Sequence, residues 1–127
     1  MPYHTDLKEH YSMLNVDDFQ KFNQEGLQKL EEELDEVFQN QGNPLIISFN
    51  QQLQPDETFY AWLRSFKEFA FNKRLQWILI PPFENDYQNL ENEGIQFAPT
   101  TQEAVDMAYM IKIEQDFLNE DDGESSS

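Results

Sequence analysis

Two histidines, His4 and His10, are the only imidazoles in this chain of 127 residues, and it has no cysteine. Without a thiol, disulfides, thiolate zinc sites, iron–sulfur clusters and a cysteine nucleophile are excluded. Catalysis through a serine or threonine hydroxyl needs a base within hydrogen-bond reach. Both histidines sit near the N-terminus with no companion motif, so each reads as a surface or strand-edge residue. No G-x-x-x-x-G-K-[ST] or G-x-G-x-x-G string occurs, and Gly26, Gly42, Gly94 and Gly123 are isolated from one another, so no glycine-rich phosphate cradle can form. Carboxylates are abundant, but Glu31-Glu32-Glu33 and Asp35-Glu36 belong to the outer face of an acidic helix. General acid–base work needs acids in a cleft with displaced pKa values. The run Asn119 to Glu124 lacks the spaced oxygen ligands of a calcium loop. The chemistry visible in the sequence is that of a non-enzymatic protein with no cofactor and no metal.

Alternating helix and strand patterns carry these residues. His10 to Val16 alternates apolar and polar residues, as a half-buried strand does. Leu27, Leu30, Leu34, Val37 and Phe38 follow helical spacing with acids filling most of the other positions, and Gly42 and Pro44 end that helix. Leu45 to Phe49 is a short, nearly continuous apolar run, expected as a strand covered on both faces. After a polar loop, Pro55 and Asp56 suit a helix start, and Phe59, Trp62, Leu63, Phe66 and Ala70 mark the apolar stripe that follows. Leu75 to Ile80 reads as the next buried strand, closed by Pro81-Pro82. Tyr87 and Leu90 mark a short helix ending at Gly94, and Ile95-Gln96-Phe97 a brief strand. Thr100-Thr101-Gln102-Glu103 is a capping box opening a last helix through Ala104, Val105, Ala108 and Ile111. A further strand near Tyr3 to Leu7 is weakly signalled.

Strands alternating with helices imply an α/β fold with a mostly parallel sheet of four to five strands and about four helices. One domain is expected over residues 1–118, and 119–127, acidic and then serine-only, reads as a disordered tail. Apolar residues make up 39% of the chain and aromatics 14%, enough for a real core. Eleven Phe, five Tyr and two Trp make that core aromatic-rich, each ring removing roughly 150–250 Å² from water when buried.

Twenty-five acids against eight bases give a formal net charge of −17. Such a surface repels phosphate backbones and anionic lipid, which argues against direct nucleic-acid or membrane binding. The charge reads first as solubility and second as a docking face for a basic partner. The first residues lack a secretion signal and no apolar run approaches the roughly 20 residues of a membrane span, so a cytoplasmic protein is expected. The second helix carries more aromatics than one stripe requires: Phe66 and Phe69 read as core, Tyr60 as a contact residue, and Phe71 as either.

Three strings are similar to the STAS domain, the fold of bacterial anti-sigma factor antagonists. Pro44 to Phe49, a loop and then Asp56-Glu57-Thr58-Phe59 resemble the family's central strand and the D-S-S/T-G helix start. Leu75 to Pro82 resembles the next strand. Gly94 to Val105 resembles the closing segment, where a short strand leads into a "T-x-E-E-A" helix; with Tyr109 to Asp116 it looks like small stand-alone members often encoded beside ribonuclease Z.

The resemblance covers about residues 8–118. It implies a protein-binding regulatory module, with an anti-sigma kinase-like protein or ribonuclease Z as partner. It also makes Thr58 the phosphorylation candidate, and Asp56, Glu57, Thr58, Phe59, Tyr60 and Leu63 the contact residues. The motif departs from the family at three places: Glu57 stands where a small hydroxyl residue is common, Phe59 where glycine lets a partner approach, and Ser48 where an acid is frequent. Like charge from Glu57 and bulk from Phe59 oppose a kinase at Thr58. The second reading is therefore a structural, self-associating subunit, for instance a homodimer, or a partner of a neighbouring enzyme, with no phospho-switch.

Overall fold

The computed structural model describes residues 2–33 and 42–125. The molecule is α/β: a four-stranded, mostly parallel sheet carries helices on both faces. The strands are β1 (Tyr3–Leu7), β2 (Ser12–Val16), β3 (Leu45–Phe49) and β4 (Trp77–Leu79), in spatial order β1-β2-β3-β4. β1 pairs antiparallel with β2, Tyr3 opposite Val16. β2 and β3 are parallel with Ser12 opposite Leu45, and β3 and β4 are parallel with Leu45 opposite Trp77. Helix α1 (Phe19–Glu33) joins β2 to β3, α2 (Glu57–Asn72) joins β3 to β4, and α3 (Tyr87–Asn92) precedes the long α4 (Thr101–Ser125).

Side chains on a strand alternate between faces, and here the alternation sorts two cores. Leu14, Val16, Leu45, Ile47 and Leu79 point to one face and meet α1, α2 and α3. Ile46 and Ile78 point to the other and meet Ala104 and Ala108 of α4. The first core is aromatic. Phe19, Phe22, Phe59, Trp62 and Phe66 interlock there, with the Phe66 and Trp77 ring centroids 4.9 Å apart and Trp62 stacked on Phe66 at 5.4 Å.

α1 begins earlier than the apolar spacing suggests. The Asp18 carboxylate accepts from the Lys21 N–H at 3.2 Å, and Phe19 and Phe22 enter the core one turn apart. Gly26 then breaks the helix with φ 80° and ψ 163°, a backbone region only glycine adopts freely. The rest of the expected stripe, Leu34, Val37 and Phe38, lies outside the described residues. The expected strand at Ile95–Phe97 reduces to a single bridge between Leu79 and Phe97. α4 runs on to Ser125, so the backbone stays helical across the 118/119 boundary at which the sequence suggested a tail. Among the described residues, no helix is long and apolar enough to cross a membrane.

Candidate functional site

The start of α2 is built as its sequence suggests. The Asp56 carboxylate accepts from the Phe59 N–H at 3.0 Å, capping one of the unpaired donors of the first turn. Thr58 and Glu57 follow on the outside of that turn, both exposed. Thr58 stands between two shallow depressions. One is lined by Asn23, Gly26 and Trp62, and the other by Phe19, Gln20 and Leu53. The loop leading in is tied down from the opposite side, because the Phe19 N–H donates to Gln51 Oε1 at 2.7 Å.

The six contact residues expected here do not share a surface. Asp56, Glu57 and Thr58 are exposed, whereas Phe59, Tyr60 and Leu63 are buried. Phe59 and Leu63 face the sheet within the aromatic core. Tyr60, expected as a contact, instead turns its hydroxyl inward to donate to Asp86 Oδ2 at 2.6 Å. Burial first, and then the Asp86 carboxylate, push the phenol well above the usual tyrosine range. The bond also holds Asp86, whose φ of 78° is uncommon for a residue with a side chain, at the entrance to α3.

Farther along α2 the outer face turns basic. Arg64 bridges Glu57 at 2.9 Å and Glu93 at 3.0 Å. The guanidinium holds the Glu93 carboxyl below its ordinary range, and the two carboxylates raise Arg64 in return. The Lys67 ammonium donates to the Glu93 carbonyl at 2.7 Å. A Cβ at Gly94 would lie 2.9 Å from that Lys67 nitrogen, so the glycine leaves room for the lysine to seat. These groups open onto a cleft of about 690 Å³ between the end of α2, Trp77 and Gly94.

Two other polar groupings bear on chemistry. At the carboxyl end of the strands, His4 Nδ1 lies 2.9 Å from Asp17 Oδ2, and the Asn50 amide also donates to Asp17. That amide first, and then His4, lower the Asp17 pKa. Next to it, the Ser48 hydroxyl donates to Asn15 Oδ1 at 2.7 Å. Ser48 is thus a partner in a sheet-face hydrogen bond, with no nucleophile–base pair formed through it. His10 lies against the ring of Tyr109 at 5.2 Å. Among the described residues, no group of three or more His, Asp or Glu side chains converges as a metal would require.

The surface feature that the sequence reading missed lies on α4. Ala104, Ala108 and Ile111 face the sheet. Half a turn round the helix, Met110, Ile113 and Phe117 expose 61%, 62% and 61% of their surface, with Tyr109 at the edge and Leu118 beyond. The helix of 25 residues is about 37 Å long at 1.5 Å per residue, whereas β3 with 5 residues spans only about 16 Å. The second half of α4 therefore outruns the sheet. The spacing of 110, 113 and 117 was available in the sequence as a second helical stripe. What it lacked was any sign that, among the described residues, α4 has a neighbour on only one side. Exposed Glu103, Asp106, Glu114 and Asp116 flank the stripe. No family model, no curated protein and no solved structure matches this chain.

Proposed function

We propose that this chain is a non-enzymatic protein-binding module, resembling the STAS-type anti-sigma factor antagonists, and that it docks its partner on the outer stripe of α4. The carrying observation is the row Met110, Ile113 and Phe117, three large apolar side chains exposed on one side of a helix in a chain of net charge −17. Contiguous exposed apolar surface of this kind marks interaction sites. Acids flank the row, so the partner it fits is a cationic amphipathic helix, with apolar anchors seated on the stripe and Lys or Arg against the rim. In the light of the resemblance, an anti-sigma kinase-like protein or ribonuclease Z would present that segment, in the cytoplasm. Two copies of this chain would bring like-charged rims together, which disfavours the self-associating alternative.

The strand and helix order supports the STAS reading, as does the exposed Asp56-Glu57-Thr58 start of α2 after the central strand. Thr58 remains the candidate for phosphorylation on that reading, with Glu57 beside it as the opposing charge.

The test uses a synthetic lysine–leucine amphipathic helix and its glutamate counterpart, titrated against the full chain with amide and methyl shifts recorded. The cationic peptide should shift Ile113 and neighbouring amides, bind more weakly at high salt, and lose at least tenfold in affinity in I113D/F117D. Equal binding of both peptides, or an unaltered affinity in the double variant, would overturn the docking proposal. Light scattering separates the alternative: a wild-type dimer that I113D/F117D converts to monomer would assign the stripe to self-association.

A further inference from the structure

The cleft beside α2 coincides with the point where pairing at the sheet edge stops. Alternate residues of a parallel strand turn their backbone groups to opposite sides. β4 turns Gln76 and Ile80 toward β3, where the Leu45 N–H donates to the Gln76 carbonyl at 2.9 Å and the Ile80 N–H to the Ile47 carbonyl at 2.8 Å. Trp77 and Leu79 therefore face outward. Leu79 is satisfied there: its N–H donates to the Gln96 carbonyl and its own carbonyl accepts from the Ala98 N–H, both at 2.9 Å. One rung earlier the neighbouring chain has left the edge, because the Ile95 N–H donates to the Leu90 carbonyl instead, at 2.9 Å. The outward N–H and carbonyl of Trp77 have no strand partner among the described residues, and Trp77 looks across the cleft at Gly94 and Gln96.

The lining of this cleft is richer in bases than the rest of the molecule, although Arg64 is already paired with Glu57 and Glu93, which leaves Lys67 and Arg74 as the cations that face it. Three of the eight bases in the chain, Arg64, Lys67 and Arg74, line it, against one of the twenty-five acids, Glu68. Arg74 has no ion pair among the described residues. Phe71 stands on the rim with 82% of its surface exposed, the largest exposure among the big apolar side chains described. A free backbone edge recognises another backbone, and the cations beside it select the side chains that the added strand carries.

We propose that this cleft is a second binding site, distinct from the α4 stripe, that takes an extended acidic peptide segment. The segment pairs with the free edge at Trp77, sets carboxylates against Lys67 and Arg74, and lays an apolar side chain on Phe71. Side chains on an extended peptide alternate, so acids at every second position would face α2 together. A polyanion without peptide groups could use the cations but not the edge.

The probes are acetyl-(Glu-Val)4-amide, its lysine counterpart, and a version N-methylated at alternate residues, each followed by fluorescence anisotropy and by hydrogen exchange of the Trp77 amide. The acidic peptide should bind at low salt and slow exchange at Trp77. The lysine and N-methylated versions should bind at least tenfold more weakly. R74G with K67E should weaken the acidic peptide by a similar factor. Arg74 has φ 56°, a conformation glycine adopts without strain, so R74G alone should leave the circular dichroism spectrum and melting temperature intact. Equal binding of all three peptides, or unchanged exchange at Trp77, would overturn the proposal. Displacement by inorganic phosphate or free glutamate at the peptide's own concentration would reassign the cleft to small anions.

Discussion

α2 and α4 are both rich in apolar residues, and they use them in opposite ways. In α2, Phe59, Tyr60, Trp62, Leu63, Phe66 and Ala70 are all buried, because α1, the sheet and α3 close round it on several sides. Among the described residues of α4, only Ala104 and Ala108 are fully buried, and they are small. Helix and sheet meet closely there over Ile46 and Ile78, with Met107 and Ile111 partly buried at the margin, while Met110, Ile113 and Phe117 point outward. An apolar stripe is a demand for a neighbour. α2 finds its neighbours inside the fold, whereas among the described residues α4 packs on one side only and exposes the other.

The contrast is broken most severely by truncating α2. Phe66→Ala removes a fully buried ring wedged between Trp62 and Trp77 and should cost about 3–5 kcal/mol in denaturant unfolding. Phe117→Ser, a substitution of comparable size on the open side of α4, should change stability by less than about 0.5 kcal/mol. Similar losses for both would show that the α4 stripe is covered within the fold.

The thin packing under α4 predicts the next largest effect. Ala108 is fully buried against the sheet, so Ala108→Leu should force the helix outward at about 1–3 kcal/mol. A thermal melt that does not move would mean that the second core has slack.

The smallest effect is a pH dependence. Tyr60 loses its proton less readily in the folded chain than in the unfolded one, because it is buried and bonded to Asp86. Its contribution to stability is therefore complete below the ordinary tyrosine pKa and is lost progressively as the pH climbs from there through the raised value of the folded chain. Tyr60→Phe should cost about 0.5–1.5 kcal/mol near neutrality and flatten the alkaline fall in stability. An alkaline limb identical in wild type and variant would separate Tyr60 from it.

Periodicity made most elements legible. The apolar runs of β3 and β4, the stripe of α2 and the Thr100 cap of α4, whose hydroxyl accepts from the Glu103 N–H at 3.2 Å, are local signals formed by local geometry. The start of α1 was legible in principle from Asp18 followed by Phe19 and Phe22. It was masked because Gly26 breaks the helix and shifts the phase of the stripe. The candidate site was far less legible. Phe59 and Leu63 lie on the stripe that the spacing assigns to the core and are contact candidates only through the resemblance, whereas Tyr60 lies off that stripe and is drawn in by Asp86, twenty-six residues away along the chain.

Residue types and their spacing by themselves determined an acidic α/β chain with no thiol, an aromatic core and an order of strands and helices that demands a mostly parallel sheet. These properties depend on composition and on periods of two or 3.6 residues, which need no knowledge of distant partners. Only the tertiary structure decided which stripe is covered and which is open, and where the sheet edge loses its partner at Trp77. Those depend on how many surfaces converge on a residue, which no window of sequence contains.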